Sequence, residues 1–493
     1  MTIPTYDLIV IGSGPGGEKG AAKAAYFGKK VALIEKDSHL GGAVANTAVP
    51  GKAMRETALY LSGFRHRDLH GIKLSYDGTI TVESFMHRGR VAREALNGWV
   101  GTNLERHHVN VHHGVASFVD AHTIKVDAEE GTTILQGDKI LIATGSRPIR
   151  PPGIPFNNPR VYDSDTVLDM PRLPQSLTII GGGTIGCEYA CLFKILGLEQ
   201  VRLITSTDQL LPFADKELVD MLQKAMTSIG VELVLGQKVA EVVGSELLTL
   251  VMRDGQRLEA EAVLVALGRR SNVQGLGLER AGVLVNEQGQ LEVNERFQTN
   301  VPNIYAAGDV VGGIALSSTA MEEARLAMIN AFDLPNRGDV TRVPIGVWTI
   351  PELSMVGETE DRLRKEKRPH YVGRCRYNQN PRGTLIGDPW GLLKLIFSVP
   401  EHRLVGVHVI GENACELIAC GLLGMNMGAT TSTFVDSCFN YPSLSDMYKY
   451  AAYDAMGNFE RGDYYRGDNC NAGTKAVELL TGKALSKTGE SER

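Results

Sequence analysis

One pattern constrains this chain more than any other: a strand, a glycine turn and a helix in immediate succession, occurring twice. Asp7 to Ile11 form a short strand-like run, Gly12-Ser-Gly14-Pro-Gly-Gly17 follows at once, and alanine-rich sequence of helical character comes next. Glycine at the first position permits the tight turn. At the second it lets backbone approach a pyrophosphate, and at the third it lets helix and strand pack closely. The helix N-terminus then offers N–H donors and the positive end of its dipole to phosphates. A second strand, Lys30 to Ile34, ends at Glu35, the spacing at which an acid accepts hydrogen bonds from a ribose diol. The order returns at Leu177 to Ile180, Gly181-Gly-Gly183-Thr-Ile-Gly186, a helix to about Gly197 and a strand at Val201 to Ile204. The fold class read from this is α/β, with two Rossmann-like dinucleotide-binding folds. The second unit ends in Thr205-Ser206-Thr207, where an NAD site favours a carboxylate and an NADP site an arginine. Hydroxyls there repel neither, which leaves Asp208 or Arg202 as other sources of a preference.

At 493 residues the chain is long enough for two to four domains. An apolar fraction of 43% and a charged fraction of 22% are those of a soluble globular protein. The net charge of -6 is scattered, so no basic surface points to nucleic acid or anionic lipid, and a small-molecule partner is expected. Seven cysteines (187, 191, 375, 415, 420, 438 and 470) are odd in number and widely spaced, unlike a secreted disulfide framework. The opening residues have no basic leader, and no apolar run approaches the twenty or so residues that cross a bilayer. The expectation is a cytoplasmic protein without a membrane partner.

With further motifs the chain resembles the pyridine nucleotide-disulfide oxidoreductases, the relatives of dihydrolipoamide dehydrogenase and glutathione reductase. Ala143-Thr144-Gly145 matches the close of the family's first flavin segment, Gly268-Arg-Arg the close of the nucleotide domain, and Ala306-Ala-Gly-Asp309 the motif whose aspartate holds the flavin ribitol. The resemblance implies FAD and NAD(P) as cofactors. It implies a split FAD-binding domain (1–155 and 280–340), an inserted NAD(P)-binding domain (156–279), a C-terminal α+β dimerisation domain (341–460) that makes a homodimer, and an extension (461–493).

The same alignment shows what has been lost. Disulfide reductases of the family place two cysteines just after the paired glycines that here are Gly41 and Gly42. This chain reads Ala43-Val-Ala-Asn-Thr-Ala48-Val-Pro50-Gly-Lys52, with no cysteine, so no thiolate is available there for disulfide exchange. Those reductases also use a C-terminal His-Pro with a following acid. Here the segment is Phe439-Asn-Tyr441-Pro442-Ser-Leu-Ser-Asp446, and a tyrosine side chain, with a reference pKa of about 10, is a poor proton shuttle near neutrality. Cys187 and Cys191, four apart on a helix, read as packing residues rather than a substitute pair.

Phe-Asn-Tyr-Pro, Tyr162-Asp-Ser-Asp165, Gly186-Cys-Glu188-Tyr189-Ala and Trp348-Thr-Ile-Pro-Glu352 are most similar to the soluble (Si-specific) pyridine nucleotide transhydrogenases. These usually keep a cysteine where Ala43 stands, a threonine where Ala48 stands, and often an arginine where Thr207 stands. The resemblance places Lys52 near the flavin N5, paired with Glu188, and implies hydride transfer between NADPH and NAD+ without a redox disulfide. Candidate catalytic residues are Lys52, Glu188, Tyr441 and Asp446. Candidate cofactor residues are Gly12, Gly14, Gly17, Glu35, Gly41, Gly42, Lys52, Thr144, Gly145 and Asp309 for the flavin, and Gly181, Gly183, Gly186, Thr205 and Gly268 for the dinucleotide. Alternatives are an NAD(P)H diaphorase or oxidase passing electrons to a quinone, metal ion or oxygen, with Ala43 and Ala48 leaving room above the flavin, and a low-turnover redox sensor. His107-His108 and His112-His113 read as a strand edge with no metal bound, and the two Arg-Gly-Asp triplets at 461–463 and 466–468 as solvated tail.

Overall fold

The apolar run at the start becomes the strand at the centre of the first sheet. The computed structural model describes residues 3–62, 81–335 and 342–467. In it β1 (Thr5–Ile11) is followed by helix α1 (Pro15–Tyr26) and β2 (Val31–Glu35). Leu8, Ile9 and Val10 are fully buried, each stabilising the fold by about 1.5–3 kcal/mol relative to exposure. After helices α2 (Val49–Ser62) and α3 (Val82–Arg106) come β3 (Asn110–His113), β4 (Val115–Phe118), β5 (Thr123–Ala128) and β6 (Gly131–Ile142). The order is β3-β2-β1-β6-β5-β4; β1 lies parallel between β2 and β6, while β5 runs antiparallel to both β4 and β6. The chain runs from β1 to β2 and β3 on one side and then crosses to β4, β5 and β6 on the other, so the crevice at the carboxyl end of β1 is where open α/β sheets hold ligands. The Gly12 turn sits at that end.

A short strand, β7 (Ser146–Pro148), leads out of this sheet, and the same plan is then repeated. β8 (Val161–Asp163), β9 (Ser176–Ile180), α4 (Thr184–Ile195), β10 (Gln200–Ile204) and β11 (Val231–Val234) follow. A separate three-stranded sheet consists of β12 (Val239–Val243), β13 (Leu248–Met252) and β14 (Arg257–Ala260). β15 (Ala262–Val265) completes a parallel sheet of order β11-β10-β9-β15-β8. Its reversal point is the carboxyl end of β9, where the Gly181 turn sits. β16 (Arg269–Ser271) returns antiparallel to β7, and β17 (Ile304–Ala306) rejoins the first sheet beside β6. Of the histidine-rich stretch, His112 and His113 lie on β3, an edge strand, while His107 and His108 form the turn after α3.

The described residues fall into two units, one drawn from Met1–Leu210 and Ile229–Thr341, the other from Leu211–Ser228 and Arg342–Arg493. Helix α5 (Lys216–Ser228) thus belongs to the second unit, although in sequence it lies between two strands of the second parallel sheet. Its buried residues Leu218, Val219, Leu222, Ala225 and Met226 form one helical stripe. Helix α6 (Ser317–Ala331) closes the first unit and packs on α1.

In the second unit an antiparallel sheet runs β18-β19-β22-β21-β20, built from β18 (Ile345–Val347), β19 (Leu353–Gly357), β20 (His370–Arg376), β21 (Leu392–Ser398) and β22 (Leu404–Ile410). Helices at Ala414–Asn426 and Met447–Glu460 cover it. β21 is apolar except for its last residue, Ser398, and for Lys394, which is 1% exposed. Its ammonium meets Asp215 Oδ1 at 2.9 Å, Glu217 Oε2 at 3.1 Å and Glu360 Oε2 at 2.7 Å. Removing one partner of such a buried pair costs about 3–5 kcal/mol, so these contacts anchor the segment 211–228 to its sheet. Cys470 and the end of the second Arg-Gly-Asp triplet, with the rest of the extension to residue 493, lie outside the described residues.

Candidate active site

The first glycine turn has the shape its sequence implies. Gly12 takes a φ of 102°, and a Cβ there would lie 2.5 Å from the Ala143 carbonyl oxygen; at Gly17 it would lie 1.9 Å from the Gly12 oxygen. At Gly14, by contrast, a Cβ would meet nothing within 4 Å. Gly14 is also the N-cap of α1 and has no side chain to cap it, so the first N–H groups of the helix receive no hydrogen bond from a capping side chain. Glu35, at the end of β2, is 4% exposed. Its Oε2 accepts from Ser13 N (2.9 Å) and Ser13 Oγ (2.6 Å), and its Oε1 from Asp37 N (3.0 Å). A carboxylate has about four acceptor positions, which leaves room for one further donor. Ser13 Oγ in turn accepts from Gly41 N, and Gly42 crosses Gly14 so closely that its Cβ would be 3.1 Å from the Gly14 Cα.

The second turn repeats these values. Cβ atoms would lie 2.2 Å from the Ala266 oxygen at Gly181 and 1.9 Å from the Gly181 oxygen at Gly186, with nothing within 4 Å at Gly183, the uncapped N-cap of α4. Thr205 is buried beside Gly182, and its hydroxyl is paired with that of Thr207 at 2.9 Å. Arg202 points elsewhere and pairs with Glu232 at 2.9 Å. No cation therefore stands among residues 205 to 210 at the end of β10. Asp208 is exposed there.

A charged pair joins α2 to α4: Lys52 Nζ sits 2.7 Å from Glu188 Oε2, with side chains 34% and 14% exposed. Gly51 makes this approach possible, because a Cβ there would come within 3.2 Å of the Tyr189 hydroxyl. Just before α2, Val44–Ala48 forms a π-helical turn, and Ala43 and Ala48 at its two ends are both exposed. No two cysteines among the described residues form a disulfide. Burial pushes the Cys187 thiol well up, which makes it a poor nucleophile.

Asp309 follows β17. Its Oδ2 accepts from Ser146 Oγ at 2.5 Å, and its carbonyl from Ser271 Oγ at 2.8 Å. Gly308 N donates to Glu323 at 2.7 Å; burial, reinforced by the Asp309 charge, raises that carboxyl. Thr144 and Asn272 exchange two hydrogen bonds, while Gly145 and Gly268 take positive φ beside them. Ser13, Ser146, Arg269 and Asn272 were not singled out from sequence. Only the position of Arg269 in Gly268-Arg-Arg and of Ser146 after Thr144-Gly145 hinted at them.

The second unit holds the other two candidates. Tyr441 is 66% exposed and Asp446 is 7% exposed, and no hydrogen bond joins them among the described residues. Asp446 Oδ2 is buried without a partner. The described residues contain no group of three or more His, Cys, Asp or Glu side chains suited to a metal ion, and no helix long and apolar enough to cross a membrane.

Uncapped helix N-termini over open glycines and an acid at the end of the following strand are the donor and acceptor set that a flavin dinucleotide requires, so the first site fits one. The second site presents the turn and uncapped helix without the acid. Comparison with known proteins agrees. The chain matches the pyridine nucleotide-disulphide oxidoreductase family over residues 6–324 and that family's dimerisation domain over residues 343–452. It is 40% identical over 465 residues to a soluble pyridine nucleotide transhydrogenase of Mycobacterium tuberculosis, spanning 94% of this chain and 99% of the relative. A soluble pyridine nucleotide transhydrogenase of Pseudomonas aeruginosa is 36% identical over 474 residues, spanning 92% and 99%. Among solved structures the chain is similar to LpdA from Mycobacterium tuberculosis (TM-score 0.85, 26% identity, 92% of this chain and 99% of that one). It is also similar to the HOCl-induced flavoprotein disulfide reductase RclA from Escherichia coli (TM-score 0.82, 27% identity, 91% and 99%).

Proposed function

Because the chain belongs to the pyridine nucleotide-disulphide oxidoreductase family, as a homodimeric oxidoreductase that uses FAD and NAD(P), we propose that it transfers hydride between NADPH and NAD+ with no redox disulfide. The observation that carries this reading is the juxtaposition in one unit of two open glycine turns and the Lys52–Glu188 pair, with alanines at both ends of the π turn where relatives place sulfur.

In this reading residues 1–155 and 280–340 hold FAD, residues 156–279 the nicotinamide dinucleotide, and residues 341–460 the subunit contact. The flavin, when bound, accepts and returns a hydride, and the protein binds and orients its partners. The N-terminus of α1, with Gly12, Gly14 and Gly17, holds the flavin's pyrophosphate, and Gly42 covers that turn. Glu35 takes a ribose hydroxyl, and the free Oδ1 of Asp309 takes the ribitol. The N-terminus of α4 holds the pyrophosphate of NADPH or NAD+ in turn. Lys52 places positive charge where the isoalloxazine gathers negative charge, and Glu188 holds its ammonium in place. Tyr441 and Asp446 occupy the position of the family's proton shuttle without one being needed, since hydride transfer between dinucleotides has no thiol to protonate. A cytoplasmic location belongs to the same reading.

Without a cation at the end of β10, NADPH is the weaker of the two ligands. Steady-state transfer from NADPH to the analogue thio-NAD+ tests the proposal. Parallel double-reciprocal lines, the mark of one site used alternately, are the expected result; inertness toward either dinucleotide contradicts it. The exposure of Ala43 and Ala48 favours, as a second reading, an NAD(P)H diaphorase with a small electron acceptor. NADH-dependent reduction of such an acceptor far faster than transhydrogenation would make it the better one.

A further inference from the structure

The ribitol carboxylate and the second nucleotide fold are joined by one unbroken chain of polar contacts. Ser146 Oγ lies 2.5 Å from Asp309 Oδ2, and Arg269 Nε lies 2.9 Å from the same Ser146 Oγ. A guanidinium donates and never accepts. Ser146 Oγ therefore accepts from Arg269, and its own proton is committed to Asp309. The far end of Arg269 grips the turn after β8: Nη1 donates to Asp165 Oδ1 at 2.7 Å and to Ser164 Oγ at 3.0 Å, while Nη2 donates to the Ser146 carbonyl at 2.8 Å. That turn is itself rigid. Asp163, fully buried, accepts from Asp165 N, Thr166 N and Thr166 Oγ1 and pairs with Arg150 at 2.8 Å.

The chain of contacts ends at the dinucleotide turn. Asp163 is in register with Val265, and Val265 with Ile180, the residue before Gly181. The Ala266 carbonyl, 2.2 Å from where a Gly181 Cβ would stand, is only three residues before Arg269. A ligand that orders the Gly181 turn therefore orders the strand end from which Arg269 reaches out. We propose that Ser146 and Arg269 are positioning residues that couple the two cofactor sites, so that a bound dinucleotide slows release of the flavin. The proposal rests on the reading that Asp309 holds the ribitol and the Gly181 turn the dinucleotide. Coupling of this kind is reciprocal and typically amounts to about 5- to 150-fold.

The test is the rate at which the holoenzyme releases FAD, followed by flavin fluorescence, with and without saturating NAD+, a dinucleotide that cannot reduce the flavin. In the wild type NAD+ is expected to slow release about tenfold. In Ser146→Ala and in Arg269→Lys, which keeps the charge and loses the fork, the effect of NAD+ should fall below about twofold. Ser146→Thr, which restores the hydroxyl, should recover it. Equal release rates with and without NAD+ in the wild type, or an undiminished NAD+ effect in Ser146→Ala, overturn the proposal. Equilibrium dialysis separates the two levels of the argument: if NAD+ does not bind the wild type at all, the underlying two-site reading falls too. Should Arg269→Lys fail to fold, the serine pair alone still decides.

Discussion

Replacing Gly183 by alanine adds a methyl group where the protein offers no opposition. Its backbone is extended (φ -81°, ψ -174°), and nothing lies within 4 Å of the new Cβ. Alanine is a poorer N-cap than glycine, yet Gly→Ala at a compatible conformation returns about 0.4–1 kcal/mol through the unfolded state, so stability should change by less than about 1 kcal/mol. The methyl does, however, stand where a pyrophosphate must approach the N-terminus of α4. Loss of one charge-assisted hydrogen bond, about 1.5–3 kcal/mol, weakens dinucleotide binding by roughly 10- to 150-fold. Gly186→Ala is the control of opposite character. Its Cβ would be 1.9 Å from the Gly181 oxygen and 3.3 Å from Leu203 Cδ1, so helix and turn must separate by about 1 Å. That overpacking costs about 1–3 kcal/mol or more, a fall in Tm of roughly 5 °C. Calorimetry and dinucleotide Kd, measured together on both variants with FAD content as a check, should dissociate affinity from stability. A Gly183→Ala enzyme that binds the dinucleotide as the wild type does, or that loses FAD instead, would refute the assignment of the second turn.

Three further outcomes are expected. Lys52→Met removes the cation beside Glu188 and should slow flavin bleaching by NADH about 10²-fold while FAD stays bound; an unchanged stopped-flow rate contradicts the role given to Lys52. Ala43→Cys with Ala48→Cys puts sulfur at both ends of the π turn and should restore a disulfide, read as an additional equivalent of NADH consumed and a long-wavelength thiolate band; two thiols that react freely with a thiol reagent in the oxidised enzyme would show that the turn does not bring them together. Burial alone raises the Glu360 carboxyl, but Lys394 and Arg364 outweigh it and hold it at about 2 against the ordinary 4.5. Because the folded value is the lower one, its contribution of about 3 kcal/mol is complete above pH 4.5 and is lost as pH falls toward 2. Urea unfolding of Glu360→Gln should therefore show a large deficit at neutral pH that shrinks toward pH 2, and a deficit independent of pH contradicts the pairing.

What the sequence disclosed and what it hid divide along a physical line. The Gly12 and Gly181 turns were legible because their demands are local: a tight turn, an uncapped helix start and a close helix–strand approach are each met by glycine at a fixed spacing. The absent cysteines were legible for the same reason, as residue types at positions counted from Gly41, Gly42 and Lys52. Contacts of long range were not. Ser146 and Asp309 are 163 residues apart, and Lys394 and Asp215 are 179 apart, and no local pattern announces either pair. Nothing in the sequence around Lys394 marks Asp215, Glu217 or Glu360 as its partners. The placement of α5 in the second unit followed from that same cluster, while its position between β10 and β11 in sequence pointed to the second parallel sheet. The π turn from Val44 to Ala48 has no signature in residue types, since alanine, valine and asparagine fit an ordinary helix equally well.

If two dinucleotide sites constitute the whole reaction, with no sulfur between them, reducing equivalents pass from one dinucleotide to the other through the flavin alone. Anaerobic titration of the FAD-loaded enzyme with NADPH tests this directly. Complete bleaching at one NADPH per flavin, no long-wavelength thiolate charge-transfer band, and full return of the oxidised spectrum on addition of NAD+ are expected. A requirement for two NADPH per flavin with that band present, or a bleached enzyme that NAD+ fails to reoxidise, would contradict it.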